Sequence, residues 1–331
     1  MRPLKALLAA STALSLAFAG PAIAQDNFVL RFNHVLGPSE PFHQGFLKWA
    51  DRVNERTDGG LKIEVFHSAQ LGVEEDIIEQ LRQGAAVGQN TDSARLGNYV
   101  PNIAIVNGPY FIDSIQQAFD LAELPTIQKW EDELADQHGL KVVCSDWVQG
   151  FRNFYTNKPI RHPDDLAGQR IRTPPAPIWQ ESVRALGAEP VAMAFGDVYP
   201  GLQQQAIDGA GLVYPNITAA KLYEVLDYAN ETKHIMLVNF QVVSAEWFKS
   251  LPEDYQTILV EECRAAGQAT SHILAEATET AKKTVQEQGM TIVTDIDMEA
   301  FREAGNAAYE VLGLTEAVET VRAEMAAHNK N

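Results

Sequence analysis

Two arginines carry the chemistry that this sequence most clearly offers. Arg172 lies in the extended run Gln169 to Thr173, and Pro174 and Pro175 end that run, because proline biases the residue before it to extended geometry and cannot donate to a strand ladder. Its guanidinium therefore hangs near a strand end, where ligands bind in open α/β sheets, and the planar fork matches a carboxylate bidentately. Arg152 follows the turn Val148-Gln149-Gly150 and opens the run Arg152 to Asn157, so it is expected to enter the same cleft. The chemistry is anion capture. Patterns for bond-breaking are missing: the eight histidines show no HExxH or HxH spacing, and no GxSxG, GxGxxG or GxxxxGK[ST] occurs. The acid pairs Glu74-Glu75 and Asp164-Asp165 are adjacent in sequence and read as solvated helix starts rather than a catalytic dyad. No metal and no cofactor are expected.

The elements that must hold these arginines alternate. Strands are predicted at Phe28 to Val35, Leu61 to Phe66, Ala86 to Asn90, Lys141 to Asp146, Arg152 to Asn157, Gln169 to Thr173, Pro190 to Ala194, Gly211 to Tyr214 and His234 to Phe240. Helices fall between most of them, including Pro41 to Arg56 and Glu74 to Gln83 on 3.6-residue apolar spacing. This is an α/β architecture. A further helical pattern runs from a Ser250/Glu253 capping box to about Gln288, roughly 50 Å of helix. Gly267 is the expected place for a bend, or for a break into two ordinary helices.

Residues 1–24 carry Arg2 and Lys5, an apolar run from Ala6 to Ala19, and Ala22-Ile23-Ala24, which reads as a cleaved secretory signal peptide. No later segment is long enough to span a bilayer, so the mature protein is expected to be periplasmic and not itself membrane-embedded. Its removal takes the formal charge from −18 to −20, which argues against nucleic acid or anionic lipid as a partner. An anionic ligand in so acidic a protein needs local arginines. The length exceeds what one core serves, so two lobes are expected. Two cysteines, Cys144 on a strand and Cys263 on a helix, are too few for a disulfide framework, and two separately buried thiols are expected ahead of a mutual bridge.

The segment GQRIRTPPAPIWQESVRALGAEPVAMAFGDVYPGLQQQAIDG (Gly168 to Gly209) resembles the DctP-type solute-binding proteins of TRAP (tripartite ATP-independent periplasmic) transporters. The resemblance extends to ERTDGGLKIEVFHSAQLG (Glu55 to Gly72), GFRNFYTNKPI (Gly150 to Ile160) and SLPEDYQ (Ser250 to Gln256), and so covers nearly the whole chain. It implies a two-lobed, class II-like binding-protein fold with a hinge and a long lobe-bridging helix. Lobe I would hold 26–149 and 238–277, lobe II 150–237 and 278–312, and a C-terminal helix in 313–331 would pack on the outside. The implied function is capture of a small organic acid, such as a C4-dicarboxylate, sugar acid, keto acid or aromatic acid. The acid would pass to the small and large subunits of a sodium-coupled permease, with the binding protein acting as a monomer. A periplasmic hydrolase or lyase, or a ligand sensor for a membrane receptor, are the alternatives.

By position, the resemblance makes Arg172 the carboxylate clamp, Arg152 its second arginine and Phe195 the aromatic beside the ligand. Asp197 reads as a helix cap. Most relatives read Gln-Glu-Asn-Pro after the Asp-Gly pair, with the asparagine touching ligand; this chain reads Ala210-Gly211-Leu212-Val213. Tyr214 and Asn216 are then candidates to replace that contact, and Trp179 to line a more apolar pocket. From lobe I, Asn33, Glu74, Asp92 and Arg95 are expected near the ligand.

Overall fold

The computed structural model describes residues 27–328, so the expected signal peptide lies outside it. Among these residues nine strands form one sheet. They are β1 (Phe28–Asn33), β2 (Leu61–Phe66), β3 (Val87–Asp92), β4 (Leu140–Thr156), β5 (Arg170–Thr173), β6 (Glu189–Ala192), β7 (Gly209–Leu212), β8 (Tyr228–Ser244) and β9 (Thr291–Val293). Their order is β2-β1-β3-β8-β4-β7-β5-β6, with β9 beside β8. Parallel pairs dominate at both ends: β1 with β2 and β3, and β5 with β6 and β7. The two 17-residue strands β4 and β8 run antiparallel and join the halves, β8 pairing with β3 of the first half and β4 with β7 of the second.

The two runs predicted at Lys141 to Asp146 and Arg152 to Asn157 are thus one strand. Val148-Gln149-Gly150 looked like a turn because glycine follows two polar or β-branched residues. It is instead a bulge: the β4–β8 register slips between Val148 and Gly150, and Gly150 takes φ +97°. The slip matters for function, because it re-aims the residues after it, Arg152 included.

The helix Glu253–Glu287 runs unbroken for 35 residues, so it does not break at Gly267. Glycine stands there for packing. A Cβ would lie 2.6 Å from Cδ1 and Nε1 of Trp147, which is fully buried on β4. Leu259 and Cys263 enter the core of the first half with Phe46, Trp49 and Trp147, whereas Ala281 and Val285 enter that of the second with Tyr155 and Leu212. One helix therefore serves both cores. Ser250 does not cap it: its hydroxyl donates to the carbonyl of Trp247 at 2.6 Å, and Pro252 takes the cap position. Asp197 also makes no side-chain cap bond.

The close seat of this helix on β4 has a covalent consequence. Cys144 and Cys263 lie 6.1 Å apart between Cα atoms and are joined as a disulfide, where separate thiols were expected. Sequence separation of 119 residues hid the pairing. At the C-terminus, the helix Thr315–His328 inserts Val318 and Val321 into the same cluster as Ile103 and Val106, with Met325 packed at its edge.

Candidate functional site

The C-terminal ends of the parallel strands in both halves converge on a cavity of about 50 Å³. Val35 and Leu36 follow β1 and Asp92 ends β3 on one side; Pro174 follows β5 and Leu212 ends β7 on the other. This is the position where open α/β sheets bind ligands. A wider opening of about 320 Å³ adjoins it and shares Val35, Glu74 and Phe195.

Arg172 is 2% exposed, and the proline stop that ends β5 leaves its guanidinium at the cavity. Nε donates to the Met193 carbonyl at 2.9 Å, and Cζ lies 6.0 Å from the centre of the Phe195 ring. Arg152 donates to the Gly211 carbonyl and sits with Cζ 4.2 Å from the centre of the Trp179 ring. Burial lowers both guanidinium pKa values to about 9, with Arg95 adding to the effect on Arg172 and Arg172 to that on Arg152. Both remain cationic at neutral pH. Among the described residues neither forms an ion pair with a carboxylate, so two buried positive charges share the cavity with only carbonyl and ring partners. Such charges stay costly until an anion joins them.

The opposite wall has the reverse imbalance. Arg95 contacts Glu74 at 2.6 Å, Glu75 at 2.8 Å and also Asp92. Burial works against its charge, yet Glu74, Asp92 and Glu75 together hold its pKa above the usual arginine value. Burial pushes the Glu74 carboxyl upward against the pull of Arg95. One cation shared by three acids has no capacity left for a second anion.

Between these walls runs a row of amides. Gln241 donates to Asn90 at 3.0 Å, and Asn239 donates to Gln149 at 3.2 Å. Asn90, Asn239 and Gln149 all line the cavity, and Gln149 is the bulge residue of β4. At the mouth, Glu40 precedes the helix Pro41–Arg56 and accepts from Asn216 Nδ2 at 2.8 Å and from the Gly37 amide at 3.1 Å. That carboxylate is 3% exposed. Burial raises its pKa from the usual 4.5 to about 7, against the opposing effect of these two hydrogen bonds.

Of the residues singled out from sequence, Arg172, Arg152, Phe195, Asp92, Asn216, Trp179, Glu74 and Arg95 line this cavity. Tyr214 and Asn33 do not. Tyr214 lines a separate cavity of about 300 Å³ beneath the long helix, and its hydroxyl donates to Glu231 at 3.2 Å. Tyr214 and Asn216 sit two residues apart on the helix Tyr214–Ala219, about 200° around its axis, so they face opposite ways. Asn33 donates to Gln89 at 2.8 Å and to the Gly72 carbonyl at 3.1 Å, tying the turn after β2 to the sheet. Sequence reasoning missed Glu40, Gln149, Asn90 and Asn239. Only Asn90 had a signal, the polar run Gln89 to Asp92 inside a strand that is buried along its whole length.

Comparison with known proteins agrees with this geometry. The family model for bacterial extracellular solute-binding protein, family 7 (DctP), matches residues 32–314. The C4-dicarboxylate-binding periplasmic protein DctP of Rhodobacter capsulatus is 26% identical over 97% of this chain and 96% of its own. A TRAP periplasmic solute-binding protein from Fusobacterium nucleatum with bound sn-glycerol-3-phosphate superimposes with a TM-score of 0.87 at 26% identity, covering 92% of this chain and 98% of its own. An apo, open TRAP periplasmic solute-binding protein from Escherichia fergusonii is 30% identical but superimposes at 0.79, over 89% and 99%. By sequence and by superposition, this chain belongs to the DctP family of bacterial extracellular solute-binding proteins, the two-lobed solute-binding components of TRAP transporters.

Proposed function

We propose that this protein captures a small monocarboxylate whose far end carries a hydrogen-bond donor, and delivers it in the periplasm to the membrane subunits of a TRAP transporter. The observation that carries the reading is the pair of buried arginines without a carboxylate partner, Arg172 and Arg152, at one end of the cavity. A carboxylate seated between them replaces the missing counter-charge. The three acids around Arg95 sit at the other end, where a hydroxyl or ammonium group would donate and a second carboxylate would be repelled. Arg152, Arg172 and Arg95 together balance Asp92, Glu74 and Glu75, so a monoanion adds one charge to a neutral site and a dianion adds two.

Capture proceeds by closure of lobe I, residues 26–149 and 238–277, on lobe II, 150–237 and 278–312. The hinge lies near residues 149 and 238, where the register of β4 and β8 slips. A ligand favours the closed form only through contacts that the open form lacks, here the lobe II arginines and lobe I acids and amides meeting one molecule. The better superposition on the liganded relative than on the open one supports a closed conformation.

Isothermal calorimetry with lactate, pantoate, L-galactonate and succinate tests the reading. Hydroxylated monocarboxylates should bind more tightly than succinate. Arg172→Ala should weaken the tightest of them by about 30-fold to several thousand-fold with an unchanged circular dichroism spectrum. Undiminished affinity in that variant, or preference for succinate, overturns it.

A further inference from the structure

We infer that Trp179 is a ligand-binding residue, its indole N–H supplying a third donor to the acid group held by Arg152 and Arg172. The inference rests on the carboxylate reading above. Trp179 belongs to the helix Pro177–Ala185, is 3% exposed and lines the cavity. Its Nε1 is buried with no hydrogen-bond partner in the protein. Other tryptophans on this chain show the usual arrangement: Trp49 Nε1 donates to the Leu259 carbonyl and Trp147 Nε1 to that of Cys263, each at 3.1 Å. A buried indole N–H normally finds an acceptor, and leaving one unmade carries its full desolvation cost.

The geometry names the acceptor. The face of Trp179 is occupied by Arg152, whose Cζ stands 4.2 Å from the ring centre. An anion bound at the cavity edge of that guanidinium therefore lies beside the ring that carries the orphan donor. A carboxylate has about four lone-pair sites, and with Arg172 Nε directed at Met193 and one Arg152 nitrogen at Gly211 the two guanidinium groups need not occupy all of them. On the same wall as Arg172, Leu212 offers no polar atom in its side chain. Asn216 also lines the cavity but donates to Glu40, so the orphan on Trp179 is an available side-chain donor there. The ring has two roles, steadying Arg152 through its face and bonding the ligand through its edge.

Trp179→Phe separates them, because phenylalanine keeps an aromatic face and removes the N–H. Thermal unfolding of the unliganded variant should stay close to that of the wild type, because removal of an unsatisfied donor offsets part of the packing lost with the smaller ring. Affinity for the tightest-binding acid among lactate, pantoate, L-galactonate and succinate should fall about 10- to 100-fold. In a ¹H–¹⁵N correlation spectrum of the wild type, the five tryptophans give indole signals of which the one absent from Trp179→Phe should move downfield on saturation with that acid. Wild-type affinity in Trp179→Phe, or an unmoved indole signal, overturns the inference while leaving the arginine site standing. Failure of every acid to bind the wild type overturns the carboxylate reading, and this inference with it.

Discussion

Glu40 links ligand capture to pH, and the sign can be worked from its surroundings. Its bond to Asn216 joins the segment before the helix Pro41–Arg56 to the helix after β7, across the cleft mouth. In the proposed lobe motion, opening of the cleft would break that bond and return the carboxyl to water and an ordinary pKa. In the closed form burial raises it from 4.5 to about 7. Closing therefore takes up a proton between these two values. Acid favours closure, the advantage is complete below about 4.5, and it is lost as pH rises through about 7. The full interval corresponds to about 3 kcal/mol, or a few hundredfold in the closure equilibrium, for complete exposure on opening; half that free energy gives about 10- to 20-fold. For a ligand that stays ionised, such as lactate, calorimetry should show affinity falling by about ten- to a hundredfold from pH 5 to pH 8.

Glu40→Gln isolates the effect. Glutamine imitates the protonated acid: in both, one oxygen accepts from the Gly37 amide while the other position becomes a donor, and the Asn216 amide turns to accept from it. The variant should bind at pH 8 with an affinity close to the acid-side value of the wild type, and its pH profile should flatten. Glu74, which burial also raises, accounts for any slope that remains. A variant whose profile retains the wild-type slope refutes the argument, because the slope then belongs to the Arg95 cluster and not to the mouth of the cleft.

Two further outcomes concern the scaffold. Removing the bridge by Cys144→Ala with Cys263→Ala should destabilise the protein by about 2–5 kcal/mol in urea unfolding, because the crosslink spans 119 residues; acid binding should persist, since neither cysteine lines the cavity. Gly267→Ala should cost about 1–3 kcal/mol in the same assay although alanine is the better helix former by about 1 kcal/mol, because its methyl must displace a fully buried indole. A stabilised Gly267→Ala variant contradicts the packing of the long helix on β4.

What was legible in the sequence follows from how local its cause is. Arg172 could be placed from four neighbours, since a proline pair ends the strand and leaves the side chain at its tip. The alternation of strands and helices was readable for the same reason. The bulge at Gln149 was not, because the slip that turns an apparent loop into continuous strand depends on the partner strand, with Val148 opposite Val238 and Gly150 opposite Leu237. The disulfide and the Glu40–Asn216 contact depend on tertiary approach across 119 and 176 residues, and neither partner carries a mark of the other.

The cavity itself divides along this line. Each cation was visible because arginines at strand ends are locally unusual, but which of them were free was not. Arg95 and Arg172 are the same residue type at the same end of the sheet, Arg95 just after β3 and Arg172 near the end of β5. What separates them is a helix start, Glu74-Glu75, that folds onto Arg95 from twenty residues away and consumes its charge. No acid folds onto Arg172 in this way among the described residues, and its guanidinium contacts are a carbonyl and an aromatic ring. The distinction between a structural and a ligand-binding arginine therefore lies not in the arginine but in where the carboxylates of the chain are already committed. By the same logic, placing a carboxylate in the cavity that Arg172 lines, with Leu212→Asp, should let the protein neutralise its own clamp. That variant should lose acid binding with its fold intact, and retained affinity in calorimetry would place the ligand's acid group elsewhere.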